Sequence, residues 1–493
     1  MPIPTCSPHL PLFTITPPPP PPQAADGSPR REKQSTPSVG ILFLFALSLL
    51  VFGVHAPLNA ADKKKKILMV TDHEVLDFLD DLGDPLVKAS GLPEDTVRFH
   101  VIVDGSLNAF ALPNQHIVFH SGLLLAAHDR DEIAGVLAHE VAHLAAGHHV
   151  QIKSEATAIQ IQSMIAMAAG MAAGLVTGEG DIAKAAIIGS QAGATSAMLD
   201  TIRKKEAQSD RLSVGYMAQV GYNPKGIVDF LGRIQRKNRM SNLPPGYLRT
   251  HPISDKRMEE ALDLVEQTPM HVPMLPADQD NRSLRRIQAK LLAGLETEPL
   301  KGVRLFRSRL RKHPDPLGPS ADPIRYGLAV SLRYSGHLSD AESVLNTMVE
   351  EDHDDPYLLL ERGPIRLEYG HLVKAEQDFR AALTIKPHHP GMEYALSKVL
   401  IASDRHGEAS RILRRLTAKH PEKQSYFYLL GKSEGLQGHK GPSHLALARH
   451  YALMQDRENA LWHYQEAEKH FATGTQEYTL SRSERLRLME KEE

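Results

Sequence analysis

His139-Glu140-Val141-Ala142-His143 sets two imidazoles four residues apart, with a carboxylate directly after the first. On an α-helix, positions i and i+4 share a face. Both rings can therefore converge on one cation, while Glu140 reaches a water bound to it. The chemistry such a set supports is metal-assisted hydrolysis, with the carboxylate as general base. The flanking residues read as the required helix. Asp129 with Glu132 three residues on has the form of an N-cap and its capping-box partner, and Gly147 is a stop. Ile133, Val136, Leu137, Val141 and Leu144 form an apolar stripe between them. Among the 26 histidines a chance match is conceivable, and the close pairs His148-His149 and His388-His389 read as solvated.

A third ligand decides between chance and a site, because hydrolytic zinc centres use three protein ligands and leave the fourth position to water. No histidine follows at short spacing, so a carboxylate on a later helix is the natural candidate. Glu206 is the best choice, in Glu206-Ala207-Gln208-Ser209-Asp210. Asp210, one turn on, could accept the N–H of a ligating imidazole and fix its tautomer. The competing reading is an exposed acidic helix following Arg203-Lys204-Lys205.

Composition narrows the options. A chain of 493 residues should hold two or three domains, and its 42% hydrophobic and 24% charged residues can build ordinary cores. A formal charge of -2 and 5% aromatic residues give no electrostatic field or stacking platform for nucleic acid. The single cysteine, Cys6, rules out a disulfide framework and thiolate ligands, so any zinc must be held by histidine and carboxylate. The apolar run from Val39 to Val54 follows Arg30, Arg31 and Lys33 and precedes Asn59-Ala60-Ala61. It reads as an export signal cleaved near Ala60 or Ala61, with an uncleaved anchor as the alternative. The Pro17 to Pro22 tract and Lys63 to Lys66 are irregular for such a leader.

The expected fold is mainly α (α+β). Residues 1–61 read as leader and 62–267 as a domain of mixed pattern that carries the candidate metal site beside a small sheet. A helical linker over 268–315, a repeat domain over 316–470 and a tail over 471–493 follow. Val75 to Leu86 has helical spacing, while Val97 to Val103 and His116 to Phe119 read as short strands. Ala156 to Gly178 carries no charge and reads as a packed helix, with membrane contact and a true span as the alternatives. Beyond a linker at Pro269 to Pro276, Ala341, Ala375 and Ala409 recur every 34 residues, each followed by Leu345, Phe379 or Leu413. Ala329, Gly363 and Ser397 precede them as small residues. That period is the tetratricopeptide one. The next match, Ala460, is out of phase, which implies extra helices near Tyr426 to Gln437 interrupting the array.

Several ordered segments carry a resemblance. They are Asn108-Ala109-Phe110-Ala111-Leu112-Pro113, Ser121-Gly122-Leu123-Leu124, and Glu132 through His143. Glu206 with Asp210, Gly221-Tyr222-Asn223-Pro224, and Thr250-His251-Pro252 with Arg257 follow. Over roughly Val75 to Glu260 the chain resembles the gluzincin metalloproteases of the HtpX and CAAX prenyl endopeptidase type. With its repeats it resembles the BepA-like periplasmic protease-chaperones.

The resemblance implies one Zn2+ per chain on His139, His143 and Glu206, Glu140 as general base and Asp210 behind the ligands. It gives His251 as a reversible fourth ligand or an oxyanion stabiliser. It further implies a periplasmic location, clients that are misfolded or stalled outer-membrane proteins, and docking of the outer-membrane assembly machinery on the repeats. One departure is Asn114-Gln115, where the family has Gly-Gly, beside the strand edge on which substrate would pair. The competing class is a non-proteolytic repeat chaperone or adaptor whose zinc site is latent or structural.

Overall fold

The computed structural model describes residues 12–15, 67–177, 180–239, 247–248, 251–270, 272–273 and 281–490. The apolar run at 39–54, the cleavage site and half of the 269–276 linker lie outside them.

Five short strands form one sheet. They are β1 (Leu12–Ile15), β2 (Ile67–Val70), β3 (Arg98–Ile102), β4 (Ala109–Leu112) and β5 (His116–His120), in the order β1-β2-β3-β5-β4. All neighbours are antiparallel except β3 and β5, which run parallel with Phe99 opposite Ile117. The strands β2 and β4 are four residues long, too short to register as an alternating pattern. A tight turn joins β4 to β5 with both Asn114 (φ 66) and Gln115 (φ 64) in the left-handed region that glycine adopts most readily. Asparagine and glutamine hold that conformation here without glycine.

Helix α1 (His73–Ala89) is capped by Asp72, which accepts from the Glu74 and Val75 N–H groups, and buries Val75, Leu79, Leu82 and Leu86 on the sheet. After the short α2 (Ser121–Ala126) comes α3 (Arg130–Ala145), the helix of the histidine pair. Asp129 accepts from Glu132 N–H at 2.9 Å, as a cap should. The Glu132 carboxylate reaches back past the cap to His128 N–H at 2.7 Å, so the reciprocal capping box is displaced by one residue. The one-sided apolar stripe understated this helix, because every residue from Glu132 to His143 is buried. It is the central strut of the domain. Gly147 ends the run in the left-handed conformation, φ 65.

Two glycines let α6 (Lys225–Arg239) press against α3. A Cβ on Gly135 would lie 2.7 Å from Ile227, and one on Gly226 would lie 2.2 Å from the Asp131 carbonyl oxygen. Gly135→Ala should accordingly lower stability by about 1–3 kcal/mol. Chemical denaturation measures this; an unchanged midpoint would mean that the two helices separate freely.

Between them α4 (His148–Thr177) and α5 (Gly180–Val220) form a long antiparallel pair, tied by Ser163 to the Ser190 carbonyl (3.2 Å) and Lys205 to Glu155 (3.3 Å). Ile161, Met164, Ile165 and Ile188 stay exposed on it. No helix among the described residues is long and apolar enough to cross a membrane.

Helix α7 (Asp255–Gln267) closes this unit. Then α8 (Arg282–Leu295) places Leu284, Ile287 and Leu291 in the first core and Ala289 and Ala293 in the core of the repeats. Its Lys290 ammonium lies among Asp72 (2.9 Å), Glu74 (3.0 Å) and Glu361 (3.2 Å), all buried, which couples the two cores through charge as well as packing. A helical pair is completed by α9 (Pro299–Lys312).

The repeats run as paired helices from Asp322–Tyr334 to Gln476–Glu490. Ala341, Ala375 and Ala409 are fully buried, and the Phe379 ring lies where a Cβ on Gly363 would sit. The interrupted-array expectation needs correction. Gln424–Leu436 and Lys440–Leu453 form one more pair in phase, with Gly431 and Ser443 standing 34 residues after Ser397 and Ala409. Ser443 hydrogen-bonds the Gly431 carbonyl at 2.7 Å. Serine in the alanine position hid the unit; Arg457–His470 and Gln476–Glu490 continue the array as the next pair, and Ala460 lies on the first helix of that pair rather than the second.

Candidate metal centre

Four buried side chains meet below the sheet: His139 and His143 from α3, Glu206 from α5, and His251 from the segment between α6 and α7. One ligand atom from each lies within 4.8 Å of every other. His139 Nε2 is 3.1 Å from His143 Nε2 and 3.3 Å from Glu206 Oε2, and His143 Nε2 is 3.3 Å from Glu206 Oε1. Two imidazole nitrogens and a carboxylate at such spacing match the donor set and size of a three-ligand divalent site.

Behind these groups stands a fixed outer layer. His139 Nδ1 is 3.0 Å from Asp210 Oδ1, and Arg257 grips Asp210 through Nε (2.7 Å) and Nη2 (2.8 Å). Arg257 Nη1 also donates to the Pro252 carbonyl at 2.9 Å and lies 2.8 Å from Glu206 Oε2, so one guanidinium holds both carboxylates and the His251 segment. Tyr247 N–H donates to the Leu107 carbonyl at 3.0 Å, and its ring stacks on His251 with centroids 4.6 Å apart.

The electrostatics of this layer are strongly perturbed. Burial pulls the His139 imidazolium down, but hydrogen bonds to Asp210 and Glu206 overcome it and lift the pKa to about 10. In the protein alone the proton answers to two carboxylates. A divalent cation among the same atoms takes that role and requires a neutral ring. Burial lowers His143 to about 3, leaving it neutral. Burial opposes ionisation of Asp210, yet Arg257 and His139 hold it at about 2. Glu206 is held well below the usual carboxylate range, since the three histidines outweigh its burial.

Glu140 behaves in the opposite way. Burial raises its pKa, with the charges of His251 and His139 working against the rise. Its Oε2 accepts from the Ala111 N–H of β4 at 3.0 Å. Its Oε1 is buried without a hydrogen bond in the protein, 3.3 Å from His251 Nε2. A buried carboxylate oxygen pointing into a cation-sized cluster is suited to a water in that cluster. His251 Nδ1 lies 3.1 Å from both Glu206 oxygens and 3.2 Å from His139 Nε2.

The structure thus brings together His139, Glu140, His143, Glu206, Asp210 and His251. One expectation is overturned: His148 is not solvated but fully buried, with its Nδ1 3.0 Å from His143 Nδ1. The left-handed turn at Gly147 redirects the chain, which helical periodicity could not anticipate. Of the second pair His388 is exposed, whereas His389 is buried and its Nε2 lies 2.6 Å from Asp77. Sequence reasoning also missed Tyr247 and the clamp role of Arg257. The signal for Arg257 was its place in the ordered segments; Tyr247 lies outside them.

Residues 77–265 match the sequence model of Peptidase family M48, and residues 366–432 match a tetratricopeptide repeat. A putative beta-barrel assembly-enhancing protease of Vibrio cholerae is 26% identical over 399 residues, 81% of this chain and 81% of that protein. The beta-barrel assembly-enhancing protease of Escherichia coli K12 is 21% identical over 403 residues, 80% and 78% of the two chains. Metalloprotease YcaL of the same organism is 28% identical over 170 residues, 32% of this chain and 62% of its own length.

Proposed function

We propose that this chain, a metallopeptidase in which a Peptidase family M48 domain is joined to tetratricopeptide repeats, is a zinc-dependent endopeptidase acting on misfolded or stalled outer-membrane proteins in the periplasm. The observation that carries the chemistry is the Glu140 oxygen buried beside His139, His143, Glu206 and His251. His139, His143 and Glu206 would hold one zinc. Bound there, zinc would acidify a water and polarise the scissile carbonyl. Glu140 takes a proton at Oε1 while Ala111 N–H fixes Oε2, and it returns the proton to the leaving amine. Asp210, gripped by Arg257, holds the His139 ring in place.

The assignment of substrate draws on the names of the relatives, which cover four-fifths of this chain and include both halves of it. The repeats would engage the clients or the assembly machinery, and chaperone action would share that surface. Incubated with the zinc-loaded full chain, an unfolded outer-membrane β-barrel protein should be cut, and the same barrel folded in detergent should resist. Equal cleavage of both, or of neither, would contradict the assignment.

His251 sits among the ligands rather than beside the cluster, which favours its role as a reversible fourth ligand that keeps the site latent. His251→Ala should then cleave unfolded substrate faster than wild type in the absence of any activator. Unchanged or slower basal cleavage would argue against the latch, and slower cleavage for an oxyanion-stabilising role.

A further inference from the structure

His139 and His143 are backed by different chemistry. His139 Nδ1 faces the Asp210 carboxylate, whereas His143 Nδ1 faces another imidazole, His148 Nδ1, at 3.0 Å. His148 is five residues after His143. On an uninterrupted helix it would point about 140° away from that face. The break at Ala146 and the left-handed Gly147 bring it back, fully buried against its neighbour.

The tautomers follow from the partners. His148 Nε2 lies 3.2 Å from Gln208 Oε1 on α5, and a carbonyl oxygen can only accept, so Nε2 carries the proton and Nδ1 the lone pair. The Ser209 hydroxyl, 3.2 Å from the same Nδ1, can donate to it and is compatible with that assignment. His143 Nδ1–H must then donate to His148. This leaves the lone pair of His143 on Nε2, the atom 3.1 Å from His139 Nε2 and 3.3 Å from Glu206 Oε1. The ring planes of His143 and His148 stand at 78°, so the two rings meet edge-on rather than stacked.

We propose that His148, oriented by Gln208, is a positioning residue for metal binding: it accepts the Nδ1 proton of His143 and fixes the tautomer and ring plane in which Nε2 ligates a divalent cation. The inference rests on the reading of His143 as a ligand. A neutral acceptor behind His143, where His139 has a carboxylate, keeps one further negative charge out of the layer behind the ligands.

The test measures Zn2+ affinity by chelator competition and the visible spectrum of bound Co2+ on the full chain, with the unfolding temperature of the metal-free protein as control. In His148→Asn the amide oxygen can replace Nδ1 as acceptor. His148→Gln carries its amide toward the Nε2 position, and His148→Leu has no acceptor. His148→Leu and His148→Gln should bind zinc about 10–100-fold more weakly than wild type, with shifted cobalt bands. His148→Asn should keep the wild-type bands and stay within about threefold in affinity. Should His148→Leu not fold, the contrast between His148→Asn and His148→Gln decides. Wild-type affinity and bands in His148→Gln, or equal losses in His148→Asn and His148→Gln, would overturn the proposal. A wild-type chain that binds neither metal would instead overturn the reading of His143 as a ligand.

Discussion

Glu140→Gln should abolish cleavage of unfolded protein while leaving zinc bound at one ion per chain. The amide keeps the size of the side chain and an oxygen to accept from Ala111 N–H, but it has no basic oxygen to take a proton from water. The expected fall is about 10²–10⁴-fold, the range for loss of a general base. Folding should not suffer, because burial already disfavours the charged form of Glu140 and the substitution removes that unfavourable charge. Elemental analysis and a cleavage time course read the two halves of this prediction. Substantial cleavage by the variant would remove Glu140 from the reaction.

Glu206→Ala should fail differently, by losing the metal. Glu206 is the one carboxylate in the cluster, placed 3.3 Å from both histidine Nε2 atoms, and its removal also leaves Arg257 with a single carboxylate partner. The loss in zinc affinity should exceed the roughly 10–100-fold typical of an outer-layer partner. Zinc at about 100 times its Kd should raise wild-type stability by about 2.7 kcal/mol. Glu206→Ala should show no such rise at that concentration, and its activity should fall with its occupancy. Retained stoichiometric zinc would mean that His251 or another group supplies the third ligand.

Much of this arrangement is legible in the chain itself. The histidine helix announces its cap, its stop and its ligand face through Asp129, Gly147 and the four-residue spacing of His139 and His143. The mixed helical fold with a small sheet and the 34-residue array are legible for the same reason: each rests on a local period. What stayed hidden depends on contacts across the chain. His148 looked solvated because only the turn at Gly147 brings it inside. The repeat unit at Gly431 and Ser443 escaped because serine replaces alanine, its hydroxyl satisfied by a neighbouring carbonyl. Strands β2 and β4 are too short to show alternation, although β4 supplies the N–H that fixes Glu140. Glu206 lies far along the chain, and spacing alone left it open against an exposed acidic helix. In the folded chain it is buried against both rings.

The central claim is that a single metal sits among His139, His143 and Glu206, beside Glu140. Anomalous diffraction at the zinc edge, from crystals of the zinc-loaded full chain, tests it most directly. One peak should appear within about 2.0–2.2 Å of His139 Nε2, His143 Nε2 and a Glu206 oxygen. A peak elsewhere, or none in protein that binds zinc in solution, would contradict the account.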